Sequence, residues 1–166
     1  MHFETVHWDD PRALALRTAM DEEMTALYAG RSAAQGEVDQ AAVTAALAID
    51  PSTIMHTIVA IDDDGSAVGH AALRPWGEGL EVKKVYIAPE ARGRGLSRAL
   101  MAEVERAALE RDIRSLVLQT GNLQLAAIAL YEAVGYRSVE VWAPYTAIPA
   151  SLCYRKDLTG AVQATV

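Results

Sequence analysis

Residues 2–8, His-Phe-Glu-Thr-Val-His-Trp, alternate in polarity and predict a strand. Asp10-Pro11 then supplies an N-cap and a proline at the first helical position. Leu16, Met20, Met24 and Leu27 follow at helical spacing, and Gly30 ends the helix. Residues 31–37 are small and polar and read as a mobile loop. Asp39 caps a second, Ala-rich helix that runs to Ile49 and is stopped by Pro51. A meander follows. Residues 56–61 form a β-branched strand, and Asp62-Asp63-Asp64-Gly65 is a hairpin turn. The three aspartates lack the alternating spacing and the later Glu of a calcium loop. Residues 66–74 and 80–87 are strands joined by the turn Trp76-Gly77-Glu78-Gly79. Residues 95–111 predict a helix with Leu96, Leu100, Val104, Ala107 and Ala108 on its apolar face. Residues 114–119 form a short buried strand, 124–134 a helix ended by Gly135, and 136–142 and 151–157 two final strands around a loop with Pro144 and Pro149. The order β-α-α-β-β-β-α-β-α-β-β predicts an α/β protein, a mixed sheet with helices on both faces, in a single domain spanning 1–166.

The 166 residues suit one domain with a core of its own. A formal net charge of −7 argues against a phosphate backbone as partner and mildly favours a cationic small molecule. The lone cysteine, Cys153, suits a reducing compartment; in a strand it is expected to be buried and inert. No apolar run is long enough to span a membrane, and charged residues fill positions 9–23 where a signal peptide would need an apolar stretch. A cytoplasmic protein is the expectation. The histidines at 2, 7, 56 and 70 show no metal spacing, so no metal is expected.

The densest motif is Val85-Tyr86-Ile87-Ala88-Pro89-Glu90-Ala91-Arg92-Gly93-Arg94-Gly95-Leu96-Ser97-Arg98. A strand ends, a glycine-rich turn follows, and a helix begins. The first-turn amides of a helix lack internal partners and carry partial positive charge, which suits a phosphate. Gly93 and Gly95 let the backbone approach an anion closely, and Arg92, Arg94 and Arg98 add charge. The turn lacks the third glycine of a dinucleotide fingerprint and the Lys-Ser/Thr of a P-loop.

This stretch resembles the signature of the GNAT acetyltransferases, Gln/Arg-x-x-Gly-x-Gly/Ala, with Arg92, Gly95 and Ser97 in its three fixed places. The resemblance runs from about residue 54 to 157. It implies the GNAT fold, acetyl-CoA as cosubstrate, and acetyl transfer to an amine by direct attack in a ternary complex. It implies that the amides of Gly93 to Arg98, Leu96 included, hold the pyrophosphate. It also implies that the strand with Val85, Tyr86 and Ile87 offers backbone to the acetyl and pantetheine groups. Ser97 stands where the family usually has Gly or Ala; its side chain is small, and its hydroxyl can donate to a phosphate oxygen.

Tyr131, in Leu130-Tyr131-Glu132-Ala133-Val134-Gly135-Tyr136, resembles the family's tyrosine beside the CoA sulfur, which implies a general acid. The family often has an asparagine seven residues earlier; here that position is Gln124, with Asn122 two residues before it, and either amide suits the pantetheine arm. Glu81 lies eleven residues before Arg92, the offset of the catalytic glutamate in histone-type members. It reads either as a general base, directly or through water, or as a surface carboxylate paired with Lys83. Strict alternation places Glu81, Lys83 and Val85 on one face and Val82, Lys84 and Tyr86 on the other. Asp21 and Tyr28 share a face of the first helix and read as an ammonium site or as part of a solvated stripe. Trp76, Trp142 and Tyr145 near strand ends either line the acceptor site or pack the core. The acceptor expected is a small-molecule amine or amino acid. The alternatives are a protein lysine or N-terminus, or a catalytically silent CoA-binding module. The resemblance is compatible with a homodimer.

Overall fold

The computed structural model describes residues 1–29 and 39–158; the loop expected over 31–37 and the Gly30 stop lie outside them. Strand β1 spans His2–Val6 and is followed by helices α1, Pro11–Tyr28, and α2, Gln40–Leu47. The meander is β2, His56–Ile61; β3, Ala67–Trp76; and β4, Gly79–Ile87. Then come α3, Leu96–Leu109; β5, Ser115–Gly121; α4, Leu125–Ala133; β6, Arg137–Val139; and β7, Ser151–Asp157. The expected element order holds, and the differences lie at boundaries. The final pair differs most: β6 has three residues where seven were expected, and the chain after it makes a single 3₁₀ turn at Tyr145–Ala147.

Both N-terminal helices start as their sequences predict. Asp10 accepts from Arg12 N at 2.8 Å, and Asp39 accepts from the amides of Ala41 and Ala42 at 3.0 Å. The aspartate turn closes the β2–β3 hairpin, with Gly65 donating to the Asp62 carbonyl at 3.0 Å.

The strands lie in the order β1-β2-β3-β4-β5-β7-β6. All neighbours are antiparallel except β4 and β5. That parallel pair holds for three positions only, Leu80–Val82 against Leu116–Leu118. Beyond it β4 stays bonded to β3 as far as Ile87, and β5 stays bonded to β7 as far as Gly121. The two strands therefore part and leave a gap in the sheet. At Gly79, just before the paired stretch, a Cβ would stand 2.5 Å from the Ser115 carbonyl oxygen; only glycine allows that approach.

Helices α1 and α3 both pack on β3 and β4. The face of α3 predicted to be apolar is the face it buries, with Leu96, Leu100, Val104, Ala107 and Ala108 all in the core. The α1 side of the sheet is more polar: His70, Glu81 and Lys83 are buried there.

Strict alternation along β4 fails at one point. His70 pairs with Tyr86 and Ala72 with Lys83, so Lys84 and Val85 on β4 oppose the single residue Ala71 on β3. This is a β-bulge, and Lys84 takes φ 53° to make it. Paired residues project to the same face. Arg74 pairs with Glu81, so Glu81, Lys83 and Tyr86 share the face of His70, Ala72 and Arg74. The expected grouping of Val85 with Glu81 and Lys83 is thus corrected by the extra residue.

Candidate active site

Where β4 and β5 part, a cavity of about 490 Å³ opens. One wall is the bulge segment Val82–Val85, the other is the end of β5 with the turn Gly121–Gln124. Helices α1 and α2 cover it through Met20, Asp21, Met24, Tyr28, Val43 and Leu47, and Ile148–Ala150 close its side. Tyr131 of α4 also lines it.

The bulge is held from behind. His70 Nδ1 lies 2.7 Å from the Lys84 carbonyl oxygen, an acceptor, so Nδ1 carries the proton and donates. Its Nε2 then accepts from Arg17 Nη1 at 3.2 Å. Arg17 donates to the Trp8 carbonyl at 2.7 Å and lies 3.6 Å over the Trp8 ring. Burial holds His70 down to about 4, helped by the nearby Arg17 charge, so the imidazole is neutral near pH 7. This cluster escaped the sequence reading. The available signal was an arginine at an inward position of α1, one residue after Leu16. Because the folded-state value lies below the ordinary 6.5, the unfolded chain binds the extra proton between about pH 6.5 and 4, and stability drops across that window as pH falls. His70→Leu should cost about 1–3 kcal/mol by leaving the Lys84 carbonyl and Arg17 unsatisfied. His70→Asn, whose amide N–H stands in for Nδ1–H, should recover most of this and flatten the pH dependence in that window. Chemical denaturation at pH 7 and at pH 5 measures both effects; equal stability of His70→Leu and the parent would remove the role.

Beyond β4 the chain makes the glycine-rich turn. Gly93 has φ 75° and Gly95 φ 77°, with Gly95 at the N-cap of α3. A Cβ at either glycine would meet no protein atom within 4 Å, so the space outside this turn is open. Among the described residues no hydrogen bond occupies the N–H groups of Gly93 through Ser97, whereas the Arg98 N–H, expected to join them, donates to the Gly95 carbonyl at 3.1 Å. These amides at a helix start form a cradle that fits a pyrophosphate.

The arginines divide. Arg92 donates from Nε to the Ile87 carbonyl at 2.9 Å, pairs with Glu23 of α1 at 2.7 Å, and lies 5.6 Å over the Tyr86 ring. It ties the turn to the strand and to α1. Arg94 pairs with Asp62 of the β2–β3 turn at 2.6 Å. Arg98 is exposed, with no carboxylate partner among the described residues. Both pairs are exposed, and such pairs are weak enough to exchange for a stronger anion.

Tyr131 is buried and packs among Tyr136 and Tyr154, with ring centroids at 6.0 and 6.2 Å. Burial pushes its phenol well above the ordinary tyrosine value, so it keeps its proton and can donate it. Asn122 and Gln124 both line the cavity, the backbone N–H of Asn122 donating to the Ala150 carbonyl at 3.1 Å. Val85 lines it too, while Tyr86 and Ile87 continue β4 from the cavity toward the glycine-rich turn.

Glu81 is not a surface residue. It is fully buried, does not line the cavity, and accepts from Arg74 Nε at 2.6 Å. The Tyr145 hydroxyl donates to it, and Lys83 Nζ lies 3.4 Å away. Tyr145 is itself fully buried and stacks edge-on against Trp142 at 5.8 Å, which packs on Trp76 at 5.2 Å. These rings back the Glu81 cluster and do not line the cavity. Asp21 and Tyr28 do line it, but Asp21 is paired with Lys84 at 2.5 Å. The Tyr28 hydroxyl is buried over Gly121 with no hydrogen-bond partner among the described residues. Cys153 is buried, which raises its thiol pKa and suits an inert side chain.

The parted parallel strand pair, the bulge at the gap and the amide cradle at the following helix make one continuous site on an α/β sheet. Residues 15–136 match the acetyltransferase (GNAT) family, and the chain belongs to that family. It is 35% identical over 96 residues to an IAA acetyltransferase of Azospirillum brasilense, covering 57% of this chain and 63% of that protein. It is 34% identical over 82 residues to a streptothricin acetyltransferase of Streptomyces lavendulae, covering 48% and 43%. The matched stretches thus span less than two thirds of these relatives. Over nearly its full length the chain resembles a Klebsiella pneumoniae protein described as an acyl-CoA N-acyltransferase, at 32% identity, TM-score 0.74, and coverage of 95% and 97%. A GNAT acetyltransferase of Elizabethkingia anophelis with acetyl-CoA bound shares the fold at 15% identity, TM-score 0.67, over 95% and 97% of the two chains. No helix among the described residues is long and apolar enough to cross a membrane.

Proposed function

We propose that this protein transfers the acetyl group of acetyl-CoA to a primary amine of a small molecule, by direct attack with both substrates bound. The observation that carries the reading is the cavity between the parted strands, with Tyr131 on its wall and the open amide cradle of Gly93–Ser97 at the far end of the same strand. The cradle holds the pyrophosphate, with Arg98 adding charge. Asn122 and Gln124 steady the pantetheine arm, and the thioester lies along the Lys84–Val85 bulge. Tyr131 gives its proton to the departing sulfur. Small-molecule acceptors are supported by the names of two relatives, which acetylate IAA and streptothricin. The α1–α2 cover also closes over the cavity in a way that suits a compact acceptor.

The test is release of CoA thiol from acetyl-CoA in the presence of amino acids, polyamines, aromatic amines, aminoglycosides and short lysine peptides. The expected result is turnover well above hydrolysis with at least one small amine. Turnover with the peptides alone would replace the small-molecule acceptor by a protein one. Acetyl-CoA binding with no turnover would leave a silent module.

A further inference from the structure

We propose that Lys83, in its neutral form, is the base that takes the proton from the acceptor amine, and that Glu81, Tyr145 and Arg74 are the positioning residues that set it. This rests on the acetyl-transfer reading above and names the proton acceptor within it.

The geometry excludes Glu81 from direct contact with a ligand. Its side chain has no exposed surface, and its oxygens are occupied by Arg74, Tyr145 and Lys83. Lys83, 3.4 Å from it, lines the cavity where Glu81 does not, with 9% of its side chain exposed. The hydrogen bonds form a directed set. The Tyr145 O–H donates to Glu81 Oε1, so the Tyr145 oxygen can only accept from its other neighbours: Lys83 Nζ at 2.7 Å and Arg74 Nη2 at 3.1 Å. A neutral lysine amine has two N–H bonds and one lone pair. Tyr145 and Glu81 use the two N–H bonds, which leaves the lone pair for the cavity.

Charge favours that neutral form. The cluster holds two cationic side chains against one carboxylate, and the guanidinium holds its proton far more firmly than the amine. Arg74 at 2.6 Å shares the Glu81 charge, so the carboxylate at 3.4 Å offsets the burial of Lys83 only in part. Burial accordingly lowers Lys83 from the ordinary lysine value, opposed by Glu81 and aided by Arg74 and the neighbouring Lys84. The other titratable groups facing it do not reverse this. Tyr145 of the 3₁₀ turn and Cys153 of β7 are held neutral by burial. Across the cavity stand Asp21 of α1, already paired with Lys84, the Tyr28 side chain, and Tyr131, whose phenol burial keeps protonated.

The step balances. The acceptor ammonium passes one proton to the Lys83 lone pair and becomes a free amine. The amine nitrogen forms a bond to the thioester carbonyl carbon, and the carbon–sulfur bond breaks with its electron pair on sulfur. Tyr131 gives that sulfur a proton and regains one from the nitrogen as it becomes an amide. Lys83 returns its proton to solvent after release, so one proton is liberated per acetyl group transferred.

The test is the pH dependence of kcat/KM at saturating acetyl-CoA from about pH 6 to 10, with the best amine from the panel, for Lys83→Met, Lys83→Arg, Glu81→Gln and Tyr145→Phe. Acetyl-CoA affinity by calorimetry serves as the folding control. Lys83→Met should lose about 100-fold or more in kcat with acetyl-CoA affinity near the parent's. Lys83→Arg should be equally impaired, because it keeps the charge and supplies no lone pair. Glu81→Gln should stay active with its rising limb moved to lower pH, since removing the carboxylate lowers Lys83 further. Tyr145→Phe should fall between. Parental rates in Lys83→Arg would overturn the proposal in favour of a cation that only binds the acceptor. Loss of the pH limb and of activity at every pH in Glu81→Gln, with Lys83→Met unaffected, would overturn it in favour of Glu81. These results leave acetyl transfer itself intact; a parent inactive towards every amine would remove both.

Discussion

Gly95→Glu should weaken acetyl-CoA binding about 100-fold or more, a loss of about 2.7 kcal/mol, with the fold kept. Gly95 has φ 77° at the N-cap of α3, where any other residue is strained by roughly 1–2 kcal/mol. Its Cβ would meet no protein atom within 4 Å, so the new side chain is accommodated by the protein and points into the space assigned to the pyrophosphate. There a carboxylate opposes the ligand's charge, displaces it from the free amides, and offers the helix N-terminus a competing anion. Gly95→Ala separates the contributions, since it carries the backbone strain without the charge, and it should cost under tenfold. Titration calorimetry with acetyl-CoA and with CoA measures both variants. Parental affinity in Gly95→Glu would place the phosphates elsewhere.

Tyr131→Phe should lower kcat about 100-fold at nearly unchanged acetyl-CoA affinity. Phenylalanine keeps the ring that packs against Tyr136 and Tyr154, so the change removes the hydroxyl and little else. Burial keeps the Tyr131 proton in place above the ordinary tyrosine value. The parent's kcat should therefore show no falling limb from this group up to about pH 10. Thiol release under saturating substrates, with affinity measured in parallel, checks both points. A variant that turns over like the parent would make Tyr131 a packing residue.

Much of the frame was legible because local periodicity decides it. Helix α3 buries the face its spacing predicts, and the caps at Asp10 and Asp39 depend only on neighbours. Contacts between distant residues were not legible. The bulge leaves no mark in Val82-Lys83-Lys84-Val85, and lysine is a poor choice for φ 53°; the strain is met by His70, fourteen residues earlier, holding the Lys84 carbonyl. Glu81 was open to two readings because its partners sit on β3 and on the turn at Tyr145, and both readings missed its complete burial. Lys83 then looked like the lesser member of a surface pair, yet it stands nearer the cavity. The sequence has Arg92, Arg94 and Arg98 adding charge to the glycine-rich turn; the pairing of two of them, Arg92 with Glu23 and Arg94 with Asp62, depends on distant residues.

A crystal structure with acetyl-CoA bound is the most direct measurement of the account. It should show the pyrophosphate on the amides of Gly93 to Ser97, the pantetheine passing between β4 and β5, and the thioester beside the Lys84–Val85 bulge within reach of Tyr131. A cofactor bound outside the gap between the strands, with Tyr131 far from its sulfur, would contradict it.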